Sequence, residues 1–273
     1  MFLTETFDGW SRLLEFCRRK SRGNNWVYRG QCDAKWDLRS RLERVGERFC
    51  MRDLEDVESE LLREFKRGLH RYAFGLPEPE DASRWFALMQ HHGAPTRLID
   101  FTYSFYVSAY FAIERAALGD HCAVWAVNTK WCVERARLPR HICKRMELEK
   151  RGQKLPETFQ AILRLKRTAV ITNNPFVLND RLAVQQGVFL MPLDLSQSFM
   201  VNLIGPDVSK EEAERNVVKM EICCSRSLMQ EAMTDLNRMN VNRESLFPGI
   251  DGFATSLENR VLTRRIESLD LPG

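Results

Sequence analysis

Three stretches of this chain set polar or ionisable side chains into otherwise core-directed sequence. The first is Trp26-Val27-Tyr28-Arg29-Gly30-Gln31. An arginine at the end of an apolar strand is costly to desolvate unless its guanidinium meets an anion or a carboxylate. Gly30 follows it and, lacking a side chain, lets another group approach the backbone closely. Two readings stay open: Arg29 grips a ligand anion, or it pairs internally with Asp37, Asp100 or another acid.

The second stretch runs Gln90-His91-His92-Gly93-Ala94-Pro95-Thr96-Arg97-Leu98-Ile99-Asp100-Phe101-Thr102. Gly93 and Pro95 favour a fixed turn, and a dense polar cluster on a rigid turn is where site residues are commonly presented. His91 and Asp100 are the groups able to move a proton there. The third stretch, Arg181 to Leu190, sends Gln185 and Gln186 into an apolar run beside Gly187. These amides could meet a polar ligand or close a sheet edge.

The elements that must position these groups follow from hydrophobic spacing. Trp10, Leu13, Leu14 and Cys17 predict an N-terminal helix, and Trp26 opens a strand. Leu54, Val57, Leu61, Leu62, Phe65 and Leu69 predict a strong helix that Asp53 caps. Arg84 to His92 reads as a helix, Thr96 to Phe101 as extended, and Tyr103 to Ala117 as a long apolar helix. His121 to Val127, Val184 to Met191 and Lys219 to Cys224 read as strands, and Leu228 to Met239 as an amphipathic helix. Asp251 is expected to cap a following helix. Helices cluster early and the strands are short and dispersed, so the expected class is mixed α+β. It would have a largely antiparallel short-stranded sheet surrounded by helices. One domain is expected over residues 1–273, with an N-terminal helix over 1–22 and a basic helical insert over 130–167.

Composition narrows the function classes. At 273 residues the chain can bury a large core, and 44% apolar with 29% charged residues is ordinary for a globular protein. A net charge of +4 permits nucleic acid without requiring it. The run Arg135, Arg137, Arg140, Lys144 and Arg145, near Trp131, could track a phosphate backbone or be a solvated face. No apolar run is long enough for a signal peptide or a membrane span, so a cytoplasmic protein with reduced thiols is expected. The eight cysteines form no C-x-x-C pair, and no metal is expected. The phosphate-loop, nucleophile-elbow, H-E-x-x-H and G-x-G-x-x-G patterns do not occur.

Taken together, these segments resemble the FRG-domain family, named for an aromatic-Arg-Gly signature like Tyr28-Arg29-Gly30. The segments from Gln90 to Gly93, Thr96 to Thr102 and Ala109 to Ala112 follow the family pattern closely. Gln185 to Phe189 and Leu246 to Gly252 are similar too, so the likeness runs from Trp26 to Gly252. The motif order is similar to that of ADP-ribosyltransferases, which hold NAD with a strand-borne arginine and end on a strand carrying a catalytic glutamate. Arg29 matches the first element, Asp100 to Thr102 with Ala109 to Ala112 the second, and Gln185-Gln186 the third. Gln186 stands where a glutamate is expected, and an amide cannot act as a general base.

The resemblance implies an ADP-ribosyltransferase-like fold and an enzyme that uses NAD to modify a macromolecule, RNA or protein. A bacterial toxin or phage-defence role, with an antitoxin protein as partner, comes from the same analogy. It implies His91, Asp100 and Gln186 as catalytic residues. Tyr28, Arg29, Gly30, Gln31, Arg97 and Thr102 would bind NAD. The alternative is a nucleotide- or nucleic-acid-binding module without catalysis.

Overall fold

The computed structural model describes residues 2–21, 23, 25–153, 155–175 and 180–257. Seven strands form one sheet: β1 (Leu3–Phe7), β2 (Trp26–Gln31), β3 (Ile99–Thr102), β4 (His121–Asn128), β5 (Val170–Asn173), β6 (Gly187–Pro192) and β7 (Val217–Cys223). Their order is β1-β7-β4-β2-β3-β6-β5. β1 and β7 run parallel, and the other neighbouring pairs are antiparallel. The mixed, largely antiparallel α+β class is therefore as expected.

The helices come in the order α1 (Trp10–Lys20), α2 (Arg41–Arg48), α3 (Leu54–Leu69), α4 (Ala82–His91), α5 (Phe105–Ile113), α6 (Thr129–Ala136) and α7 (Arg140–Lys150). Then follow α8 (Glu157–Leu163), α9 (Asp180–Val184), α10 (Phe199–Ile204), α11 (Lys210–Asn216), α12 (Arg226–Arg238) and α13 (Arg243–Leu246). A further helix is described over residues 250–257. Asp251 lies inside it, not before it, so it is not the cap that its spacing suggests.

β4 is apolar at nearly every position, His121 to Asn128, because it is buried on both faces at the sheet centre. On one face, Trp26 and Tyr28 of β2 join α1, α5 and α12 in a core that includes Trp10, Phe105, Tyr110 and Leu228. On the other face Val27, Phe101, Trp125 and Phe199 pack together. α5 is apolar all round because it is wedged between the sheet and α12; the Ser104 hydroxyl caps its start by accepting the Val107 N–H. Gly30 is what lets α5 lie on β2. A Cβ there would stand 2.0 Å from the Ser108 carbonyl oxygen and 2.6 Å from the Ala112 nitrogen.

One expectation about organisation changes. The first 22 residues are not all helix, since Leu3–Phe7 adds an edge strand beside β7 before α1 begins. The basic insert is helical and packs on the core: Ile142 of α7 and Phe159 of α8 sit in a cluster with Phe86, Leu98 and Met191. Two of its arginines serve the fold. Arg135 pairs with Asp207 at 2.8 Å, donates to the Leu203 carbonyl and stacks over Trp131, while Arg145 meets Thr158 and Glu157.

Candidate functional site

β2 and β3 share a single bridged pair, Tyr28 with Thr102. Beyond that pair, Arg29 Nη1 donates to the Asp100 main-chain oxygen at 2.7 Å. The Asp100 carboxylate lies 4.0 Å away, too far for a firm ion pair. The other guanidinium nitrogens of Arg29 have no protein partner among the described residues, and Nε is buried. Burial lowers the pKa of Arg29, Asp100 pulls it back up, and Arg44 pushes it further down. A half-buried guanidinium short of acceptors is suited to an anion.

The cleft beyond it has a volume of about 270 Å³. Arg39, Arg41, Arg44 and Arg181 line it together with Arg29, and Asp100 is the one acid among its described lining residues. Helix α2 supplies two of these cations. Ser40 caps α2 by accepting the Glu43 N–H, and Leu42 and Gly46 turn toward the core, leaving Arg41 and Arg44 outward. Arg41 lies against Gly93, where a Cβ would meet its Nη1 at 2.9 Å. Gly93 has φ +75°, so it both turns the chain after α4 and leaves room for that guanidinium. Arg41 has no hydrogen bond or ion pair among the described residues. Arg39 is held by Glu47 at 2.7 Å, and Arg44 donates to the Arg39 carbonyl. Arg181, on α9, stacks over the Phe247 ring at 4.7 Å.

Asp100 is fixed by a relay from the turn. The buried Thr96 hydroxyl accepts the Leu98 N–H and donates to Gln90 Oε1, and Gln90 Nε2 then donates to Asp100 Oδ2 at 2.7 Å. His91 is on the cleft wall beside Gln90. Its pKa is lowered by burial first, then by the neighbouring His92 and Arg181, so the neutral imidazole is favoured. The arrangement offers several cations, one oriented carboxylate and one neutral imidazole within a small open cleft.

Of the residues expected to act here, Arg29, His91 and Asp100 come together. The others do not. Tyr28 points to the opposite sheet face, against Phe105 and the Cys17 thiol, because neighbours on a strand alternate sides. Gly30 accommodates α5, not a ligand. Gln31 is buried, accepting from Trp125 Nε1 at 2.7 Å and donating to the Asp37 carbonyl.

Arg97 is locked by Glu58 of α3. Its backbone N–H and Nε both donate to that carboxylate, with the two side chains 6% and 3% exposed. Thr102 donates to the Gln185 carbonyl. Gln186 is exposed at the α9–β6 junction with φ +49°, its carbonyl accepting the Tyr103 N–H, and it does not line the cleft. The Gln185 amide donates to the Leu246 carbonyl. The third stretch therefore contributes Arg181, not its amides.

Sequence reasoning missed the cations of α2. Ser40-Arg41-Leu42-Glu43 has the S-x-x-E form of a helix start, and Arg41 and Arg44 follow at a spacing of three, which places them on one face.

A family model for the FRG domain matches residues 24–121. This is shorter than the likeness read from the motifs, and it leaves Arg181, Gln186 and the Leu246–Gly252 segment outside. No curated protein and no solved structure matches the chain. Residues 24–121, the stretch that carries Arg29, Arg39, Arg41, Arg44, His91 and Asp100, are where the chain is similar to the FRG-domain family.

Proposed function

We propose that the cleft binds the phosphate groups of a nucleotide-bearing ligand. The observation that carries this is the convergence of Arg29, Arg39, Arg41, Arg44 and Arg181 on one cleft with a single carboxylate. Arg29 keeps a buried Nε without a partner, and Arg41 keeps its whole guanidinium for a ligand. Guanidinium groups match phosphate oxygens in charge and in fork geometry. At about 270 Å³ the cleft is smaller than the ~300–1,000 Å³ of pockets that enclose a whole small ligand. The phosphates and an adjoining sugar are what it suits, with the rest of the ligand outside. NAD fits in that partial sense, with Arg29 and Arg41 toward its pyrophosphate.

A second reading, ADP-ribosyl transfer from NAD, is favoured by the presence of Asp100 and His91 in the same cleft. The bond from ribose to nicotinamide breaks, and the acceptor's nucleophile forms the new bond at that carbon. Asp100 would stabilise the oxocarbenium-like ribose. Neutral His91 would take the acceptor's proton, which the amide of Gln186 cannot do. An RNA or protein acceptor, a toxin or defence role and an antitoxin partner belong to this second reading.

Calorimetry with pyrophosphate and NAD, run beside label transfer from NAD to cell lysate, tests both. Binding that is lost in Arg29→Ala and Arg41→Ala supports the cleft; no binding by the parent protein defeats it. Asp100→Asn separates the two readings. In a binder it tightens phosphate binding by removing the one negative charge, and in an enzyme it also abolishes transfer.

A further inference from the structure

α2 carries its arginines past the cleft. Arg41, Arg44 and Arg48 occupy positions i, i+3 and i+7, all exposed, directly opposite the buried Leu42 and Gly46. Arg48 lies about 6 Å beyond Arg44 along the helix axis, one step further from the cleft. Among the described residues no acid of α2 forms an ion pair with this stripe. Glu47 is held by Arg39 outside it, and Glu43 is turned inward, where its carboxylate accepts the Phe199 N–H. At the far end the Arg48 guanidinium stacks over Phe49 at 5.3 Å, and Phe49 is 61% exposed. An exposed aromatic ring backed by a planar cation is a stacking surface for a base.

We propose that single-stranded nucleic acid is the partner of this face, an inference that rests on the phosphate-binding reading of the cleft. One phosphate sits among Arg29, Arg41 and Arg44, the following backbone runs along the Arg41–Arg44–Arg48 stripe, and a base stacks on Phe49. The small volume of the cleft agrees with a ligand that continues outward. An acidic peptide would use the same charges but has no need of an exposed ring at the end of the row.

The test measures anisotropy of a labelled 12-nucleotide RNA across a salt series, with pyrophosphate binding read in parallel as the report on the cleft alone. Arg48→Ala is expected to weaken RNA binding several-fold more than pyrophosphate binding. It should also flatten the slope of log affinity against log salt by about 0.7, the share of one phosphate that is no longer neutralised. Phe49→Ala is expected to weaken RNA binding at unchanged slope, since stacking releases no counterions. Unchanged RNA affinity in both variants overturns the track while leaving the cleft standing, and failure of the parent to bind pyrophosphate overturns the cleft itself. Displacement of the RNA by polyglutamate at equal charge, with Phe49→Ala indistinguishable from the parent, also overturns the proposal in favour of an acidic protein. Circular dichroism of both surface variants excludes loss of fold.

Discussion

The Arg29 guanidinium reaches across the parting of two strands to the main-chain carbonyl of Asp100, 2.7 Å away. One interaction therefore ties the cation to the turn that carries Gln90 and His91. Removing it separates binding from folding. Arg29→Ala is expected to weaken pyrophosphate binding about 10- to 100-fold, the loss for hydrogen bonds to a charged group. Water can reach the exposed Asp100 segment, so the urea midpoint should move little. A large fall in that midpoint would make Arg29 a structural residue.

Glu58 and Arg97 behave in the opposite way. Their pair is almost wholly buried, and Glu58 also accepts the Arg97 backbone N–H. Glu58→Gln leaves a buried guanidinium uncompensated and is expected to cost about 3–5 kcal/mol in urea unfolding. Replacing both by apolar residues of similar volume, Glu58→Leu with Arg97→Met, should recover part of that loss, the rest being the Arg97 backbone N–H left without its acceptor. Phosphate affinity should stay within a factor of about two if Arg97 does not touch the ligand, because a shift below about 0.4 kcal/mol is within that factor.

Gly30 and Gly187 look alike in sequence, each beside a candidate site residue, and their substitutions should differ. A Cβ at Gly30 meets the backbone of α5, which cannot yield without moving the helix. Gly30→Ala is expected to destabilise by about 3 kcal/mol or more, the upper range for overpacking. A Cβ at Gly187 meets chiefly the Leu182 side chain, with Cδ1 at 2.2 Å and the Leu182 carbonyl at 3.3 Å. Rotation of that side chain relieves most of the clash, so Gly187→Ala should cost less in the same thermal unfolding comparison.

His91 should report on the cleft by its titration. Its folded pKa lies below the unfolded value because burial, His92 and Arg181 all disfavour the imidazolium. Above the unfolded value of about 6.5 the group is neutral in both states and adds nothing unfavourable. As pH falls from there through the folded pKa, the unfolded state binds the extra proton, and stability is lost. Arg181→Gln should raise the His91 pKa part of the way, since burial remains the larger cause. Bound pyrophosphate should also raise it, and by linkage its affinity should climb as pH falls through the same window. Proton NMR of the imidazole follows each shift. A His91 pKa unmoved by pyrophosphate would place the anion elsewhere.

Much of the fold was legible in the residue order because it depends on local spacing. Asp53 caps α3, the aromatic and β-branched run Trp26-Val27-Tyr28 gives β2, and the apolar run after Tyr103 gives α5, each set by residues close in sequence. β1 was not legible, since only Phe7 of its five residues is buried and its partner β7 lies more than two hundred positions away. The polar turn from Gln90 to Asp100 was legible as a candidate site, because Gly93 and the density of polar groups mark it.

Which of its members face the cleft was decided only by packing. Arg97 and Asp100 stand three residues apart, yet one meets a glutamate from α3 and the other faces solvent. Gln31 and Gln185 turned out to answer internal partners, whereas Arg41, Arg44 and Arg181 converge from separate elements. Charge type and helical face are properties of the sequence. Whether a buried cation has a counter-charge depends on which distant segment folds against it, and that is fixed only when the chain closes on itself.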